Sequence, residues 1–546
     1  MADEEIFYSK SEAFIRRMLE VNPVVATEMG EHRWDGRFAD NSLDALDGFN
    51  EEVRQTLSEV SAMDVSRFSK DAQIDHSIMI SLLKDLAREH EIFARHRRDP
   101  SYYVNQVMTG LLLLILKDFA PLEARLDSVR SRLEGAGKVL EDGRRNLEPS
   151  RVPRIWAEIA LDQLDHAGGF FTELIPSIAA DRAPNLVERL KDAGSRAAQA
   201  MDTFKQYVAT EILPQASGDF AAGGDVFNEM LSERHMVDYD AGELLDTGLR
   251  LFDETRAQMA QVAKQIDPGR SVDDIIEEAK RDHPSPQDLL KAYEQAVEAA
   301  KRYVIEHDIV TIPEGESLTI IPTPDFLRPI LPYAAYLPPG ILEDKQDGFF
   351  FVTPVDPADP PDVQEQKLKG HSYAGLRITA LHEAYPGHHL QLSWANRQGR
   401  LPRRMASFLS SFFIEGWAFY CEELMEELGY IARPVQKLIR LKDQLWRAAR
   451  IILDVKLHTR KISPGEAVQF LVDECKLEKP NALAEVRRYT TSPTQPQSYL
   501  MGKLAILDII KTYRSRHGEL TLRQLHDTIL ACGSLPPRLM RKCLLD

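Results

Sequence analysis

The chain has 546 residues, of which 43% are hydrophobic and 28% charged, the balance of an ordinary globular protein and not of a disordered or fibrous one. That length can bury a large core, in one extended fold or in two lobes. Its 67 Lys plus Arg against 85 Asp plus Glu leave a net charge of −18, which speaks against a general nucleic-acid or anionic-membrane partner.

The first residues, "MADEEIFYSKSEAFIRRM", start acidic and lack a basic region followed by an apolar core, so the expectation is a cytoplasmic protein without a secretory signal. Residues 9–20, 44–62, 71–96, 120–145, 154–176, 184–211 and 240–266 carry apolar positions at three- and four-residue spacing, which predicts amphipathic helices. Pro100, Pro149 and Pro214 punctuate them. The apolar run Val107 to Leu116 is about half the roughly 20 residues a membrane helix needs, and reads as a buried helix. Cys421, Cys475, Cys532 and Cys543 are scattered with no C-x-x-C pair, which predicts neither a disulfide framework nor a thiolate zinc site.

The texture changes between about Thr311 and Pro361, a stretch dense in proline, aromatic and β-branched residues that excludes a long helix. Within it "GFFFVTP" (Gly348 to Pro354) predicts a short strand, which could lie at a cleft edge and pair with an extended substrate. Helix is expected again from about Tyr373 to near the end. The whole reads as a mostly α protein, with residues 1–230 as an N-terminal helical lobe and 231–546 as a catalytic lobe of the same fold.

The chemistry concentrates at "LHEAYPGHHLQ" (Leu381 to Gln391). It opens like the zinc-peptidase signature H-E-x-x-H, in which histidines one helical turn apart reach one Zn²⁺ and the glutamate serves as general base. The second histidine's place is taken by Pro386. On an ideal helix His388 lies about 120° around from His382 and about 9 Å along, and His389 shares its face but sits about 10.5 Å away. Neither pair can chelate an ion through bonds of about 2 Å. Proline removes a helical hydrogen bond and glycine tolerates nearly any backbone angle, so Pro386-Gly387 can widen the turn into a bulge. Absorbing two extra residues brings His388 to the ligand position and turns His389 to a neighbouring direction; absorbing three brings His389 instead. The alternative is a helix that ends at Tyr385, leaving the histidines at a turn. A third ligand is offered by Glu415 in "SSFFIEGWAFYCEELMEEL", where aromatic neighbours disfavour a carboxylate unless a cation offsets its burial. Its other reading is the first member of an acidic stripe with Glu422 and Glu426, which themselves read as a solvated face or as partners behind the ligands.

"HEAYPGHHLQ", "EGW" 26 residues beyond His389, and "EVRRYTTSPTQPQSYLMGK" near the C-terminus together resemble the bacterial domain-of-unknown-function family 885, whose hallmark is H-E-x-x-P-G-H-H-x-Q. "NPVVATEMGEHRWDGRFAD" and "RLEGAGKVLEDGRRNL" extend the resemblance over nearly the whole chain. That family is similar to the helical gluzincin peptidases, among them angiotensin-converting enzyme and carboxypeptidase Taq, which implies two helical lobes about a deep central cleft with a small β element. The resemblance implies His382, His388 and Glu415 as zinc ligands and Glu383 as the base. It further implies Tyr499 as oxyanion stabiliser, with Arg488, Tyr489 and Gln495 facing substrate and His389 beside them. The expected function is a zinc-dependent hydrolase cleaving short peptides or peptide-like amides. Rival readings are an esterase, lactonase or other amidohydrolase, or a non-catalytic helical binding protein.

Overall fold

The computed structural model describes residues 2–165, 167–323, 328 and 334–546. It is mostly α, with one small three-stranded sheet. The periodic segments form helices close to their expected bounds, such as Leu43–Ser61, Leu122–Asn146 and Ala241–Ile266. The run from Val107 lies in the helix Pro100–Leu116, where Val107, Leu111 and Leu114 are fully buried and Asp99 caps the first turn through Ser101 N. Helix also resumes earlier than expected, at Pro361–Lys369, because a proline in the first turn forfeits no helical hydrogen bond. No described helix is long and apolar enough to cross a membrane.

The chain divides into two compact units. The first comprises Met1–Phe220 with Gly340–Asp344. At its centre Arg132 is fully buried, and its guanidinium donates to the carbonyls of Gly110, Pro23 and Arg37 and to Thr27 Oγ1. The short insert from residue 340 is tied in by Leu342 N donating to Met29 O at 2.8 Å and by an ion pair of Lys117 with Glu343 at 3.0 Å. Gly30, at φ +90°, lets the Glu343 backbone approach where a side chain would collide.

The second unit comprises Ala221–Pro339 with Lys345–Asp546. Its sheet contains β1 (Glu316–Pro322), β2 (Ala334–Leu337) and β3 (Gln346–Val352), in the order β1-β3-β2. The strand expected from "GFFFVTP" is β3, with Phe350, Phe351 and Val352 in the core. Its expected role at a cleft edge does not hold. β3 is the central strand, parallel to β1 and antiparallel to β2, so both of its hydrogen-bonding sides are taken. Part of the surrounding proline-rich stretch lies outside the described residues.

The cysteines differ from the expectation too. Cys532 and Cys543 form a disulfide, while Cys421 and Cys475 are free and buried. A spacing of 11 carries no motif. The pairing follows from the chain turning back between the helices Leu522–Leu530 and Pro537–Leu545.

Candidate metal centre

The helix Tyr373–Glu383, capped by the Ser372 side chain, ends one residue after His382, and a second helix, His388–Ala395, begins five residues later. The interruption is a full break with a cis Tyr385-Pro386 peptide, and not the bulge in a continuous helix that the sequence suggested. Gly387 N donates to Leu381 O at 3.1 Å and Leu390 N to Ala384 O at 3.3 Å, each spanning six residues where a helix spans four. Two extra residues are therefore absorbed. A Cβ on Gly387 would sit 1.8 Å from the His382 carbonyl oxygen, so only glycine fits there. The Pro386 carbonyl accepts a hydrogen bond from Trp417 Nε1 at 2.8 Å, which gives the tryptophan of "EGW" a structural purpose.

This geometry brings His382 and His388 together, their rings perpendicular with centroids 4.7 Å apart. Glu415 comes from the helix Phe412–Glu427, its Oε2 lying 3.4 Å from His388 Nε2. One potential ligand atom from each of His382, His388 and Glu415 falls within 4.8 Å of the other two. His388 Nδ1 and Glu415 Oε2 are buried without a hydrogen-bond partner. Burial alone would push the Glu415 carboxyl up, but the His388 and His382 imidazoles and the Tyr499 hydroxyl hold it down at about 2.

Glu422, about two turns beyond Glu415 on the same face, is only 1% exposed, and its Oε1 accepts a hydrogen bond from His382 Nδ1 at 2.7 Å. That contact fixes the tautomer with Nε2 free, the usual arrangement behind a metal-binding histidine. Burial works against the Glu422 charge, but Arg447 and His382 keep its carboxyl below the ordinary value. Glu426, the other member of the supposed stripe, pairs with Arg440 and Lys437. Glu383 is half-buried and within electrostatic reach of His388, Tyr293 and Tyr336.

His389 turns away from the cluster. It is fully buried, with Nε2 on Glu316 Oε2 at 2.5 Å and Nδ1 on the Tyr336 hydroxyl at 2.9 Å, so it does not face a substrate as expected. Glu316, at the start of β1, also accepts from Tyr385 at 2.6 Å and from Lys301 at 2.8 Å. This hub, absent from the sequence reading, anchors both flanks of the Pro-Gly break to the sheet. Burial raises the Glu316 carboxyl, yet the His389, Lys301 and Tyr385 hydrogen bonds prevail and hold it at about 2.

Tyr499 stands on the helix Ser498–His517, which crosses the Glu415 helix backbone to backbone. A Cβ on Gly416 would lie 2.4 Å from Gly502 C, and one on Gly502 would lie 2.2 Å from Phe412 O. These two glycines set the close approach of the helices, with Tyr499 near enough to Glu415 for its hydroxyl to help hold that carboxyl down. Arg488 donates to Gln495 Oε1 at 2.8 Å and to Glu485 at 3.0 Å. Tyr489 departs from the expectation: it is fully buried and its hydroxyl donates to Glu485 at 2.6 Å, so it supports Arg488 and does not face substrate.

Among solved structures, the fold is shared with a candidate lipoprotein of unknown function from Shewanella oneidensis, with a TM-score of 0.80 and 23% identity over 99% of this chain and 100% of that one. A candidate lipoprotein from Colwellia psychrerythraea aligns with a TM-score of 0.83 and 16% identity, covering 99% and 98% of the two chains. At such identities the likeness establishes the fold alone. No curated protein matches the chain significantly. A family profile described as "Bacterial protein of unknown function (DUF885)" matches residues 23–544, and on that nearly complete match the chain belongs to the bacterial DUF885 family.

Proposed function

We propose that this protein is a zinc-dependent hydrolase acting on short peptides or peptide-like amides, with a site similar to that of the helical gluzincin peptidases. The observation that carries the reading is the convergence of buried His382 with part-buried His388 and Glu415, with Glu422 bonded behind His382. The donor set suits zinc: ligand atoms around a tetrahedral ion with bonds of about 2 Å lie about 3.3 Å apart. The His388 to Glu415 separation of 3.4 Å meets that spacing, and a bound cation would satisfy the buried Glu415 oxygen, which meets His388 as an ion pair and accepts no hydrogen bond. When bound, the ion supplies Lewis acidity that makes water a nucleophile near neutral pH.

The remaining work falls to the chain's own groups. Glu383, next to a ligand in sequence and half-buried, takes the proton of the attacking water at its carboxylate and returns it to the leaving amine. The Tyr499 hydroxyl donates to the oxygen on which negative charge develops. Glu422 keeps the His382 ring in one tautomer and orientation throughout.

The test is hydrolysis of a peptide panel by zinc-loaded protein beside Glu383→Gln. The variant should fold and hold zinc as the wild type does while losing about 100- to 10,000-fold in kcat, because an amide accepts no proton. Near-normal turnover in the variant removes Glu383 from the mechanism.

The place of action is a second proposal. The Cys532–Cys543 bond and the lipoprotein designations of the two structural neighbours favour an oxidising compartment over the cytoplasm, where such bonds are rare. Alkylation of protein purified without reductant and then unfolded should label two thiols, and labelling of all four reverses this assignment.

A further inference from the structure

We infer that Arg447 and Arg450, gathered around the ring of Tyr499, form with Arg488 a subsite for a carboxylate of the substrate beside the candidate metal centre. The inference rests on the hydrolase reading and narrows its substrate class.

The helix Pro434–His458 carries Arg447 and Arg450 three residues apart, on one face. The Arg450 guanidinium lies 4.6 Å from the centroid of the Tyr499 ring, and that of Arg447 lies 5.6 Å from it. Arg488 reaches the same place from the helix Lys479–Thr491, linked through Gln495 and Glu485. The positive charge is not balanced locally. Glu485 pairs with both Arg450, at 3.1 Å, and Arg488, at 3.0 Å, while Arg447 donates to the Asp443 carbonyl at 3.2 Å and has as its ion pair a loose 3.7 Å contact with Glu422, which is already bonded to His382. Three guanidiniums thus face two carboxylates, one of which is shared with His382.

The hydrogen-bond inventory points the same way. Arg447 Nε, Arg450 Nε and Trp446 Nε1 are buried and lack a partner, and Arg450 stacks 4.4 Å over the Trp446 ring. All three are N–H donors, so the missing partner is an acceptor. Guanidinium groups bind planar carboxylates through paired N–H contacts, which makes an anion the fitting occupant and excludes an amine or an apolar side chain. The Arg450 side chain is 7% exposed and that of Arg488 is 36% exposed, so the cluster is built into the protein but reachable from one side.

Its location relates it to the chemistry. Arg447 touches Glu422, the partner of His382, and Tyr499 touches Glu415, so each lies one side chain from a candidate ligand. A carboxylate held there sits close to the bond being cleaved. In a short peptide the source is the terminal α-carboxylate, and an Asp or Glu side chain is the other.

The test compares N-acetylated peptides that differ only in ending as a free acid or an amide, with a third series carrying an internal Glu, using the zinc-loaded full-length chain. The free acids should show kcat/KM about 10- to 100-fold above the amides, chiefly through KM. Arg450→Gln and Arg488→Gln should collapse that ratio towards one; should the buried Arg450 variant fail to fold, the half-exposed Arg488 variant decides. A preference that follows the internal Glu keeps the subsite and reassigns the carboxylate to a side chain. Equal kcat/KM for all series, or a preference unchanged in the variants, overturns the subsite while the hydrolase reading stands. Should no peptide be cleaved, calorimetric binding of the same free acid and amide separates the two ideas. Tighter binding of the acid, lost in Arg488→Gln, supports the subsite without hydrolysis, and equal binding overturns it.

Discussion

His388 and His389 are adjacent and chemically identical, yet the chain gives them opposite surroundings. His388 meets His382 and Glu415, whereas His389 is consumed by Glu316 and Tyr336. Glu422 should be nearly as sensitive as a ligand: Glu422→Ala frees the His382 ring and is expected to weaken zinc binding about 10- to 100-fold, measured by competition with a chelator. That His382, His388 and Glu415 converge was legible in the sequence, since imidazoles and carboxylates so close together invite it. What surrounds them was not. Glu422 read equally as part of a solvated face or as a partner behind a ligand, because the histidine it bonds is 40 residues away, and Tyr489 and His389 looked like substrate contacts because burial depends on packing that a motif does not contain.

At the level of elements, the site depends on one break and one crossing. That the helix is disturbed at Pro386-Gly387 was legible, because Pro-Gly interrupts a helical pattern; that it breaks fully and does not merely bulge was not. The hub at Glu316 that braces it was hidden, since β1 lay unrecognised in a proline-rich stretch. Glu316 is held at about 2 in the fold against an ordinary value of 4.5, so the stability it contributes is present above about pH 4.5 and is lost as pH falls towards 2. Glu316→Gln should therefore lower Tm at pH 6, and the gap from wild type should narrow as the melts are repeated down to pH 3. A gap that stays constant over that range assigns the effect to lost packing. The crossing is tighter still. Gly502→Ala places a methyl group against the Phe412 carbonyl, and a loss of about 1–3 kcal/mol is expected in chemical denaturation, with zinc affinity falling as the helices separate.

Over the whole molecule, three- and four-residue periodicity was enough to identify a mostly α protein, because helix burial is written locally. The order of the three strands and the Cys532–Cys543 bond were not legible, as both depend on which distant segments meet. The two compact units each have a core of their own, and the candidate ligands all lie in the second. The most direct measurement is the zinc stoichiometry of the full-length chain and of four alanine variants, taken by elemental analysis after equilibration with saturating zinc and desalting. Wild type and His389→Ala are expected to retain about one ion per chain, and His382→Ala, His388→Ala and Glu415→Ala to lose it. Zinc absent from the wild type, or kept by His388→Ala and lost by His389→Ala, contradicts the metal centre described above.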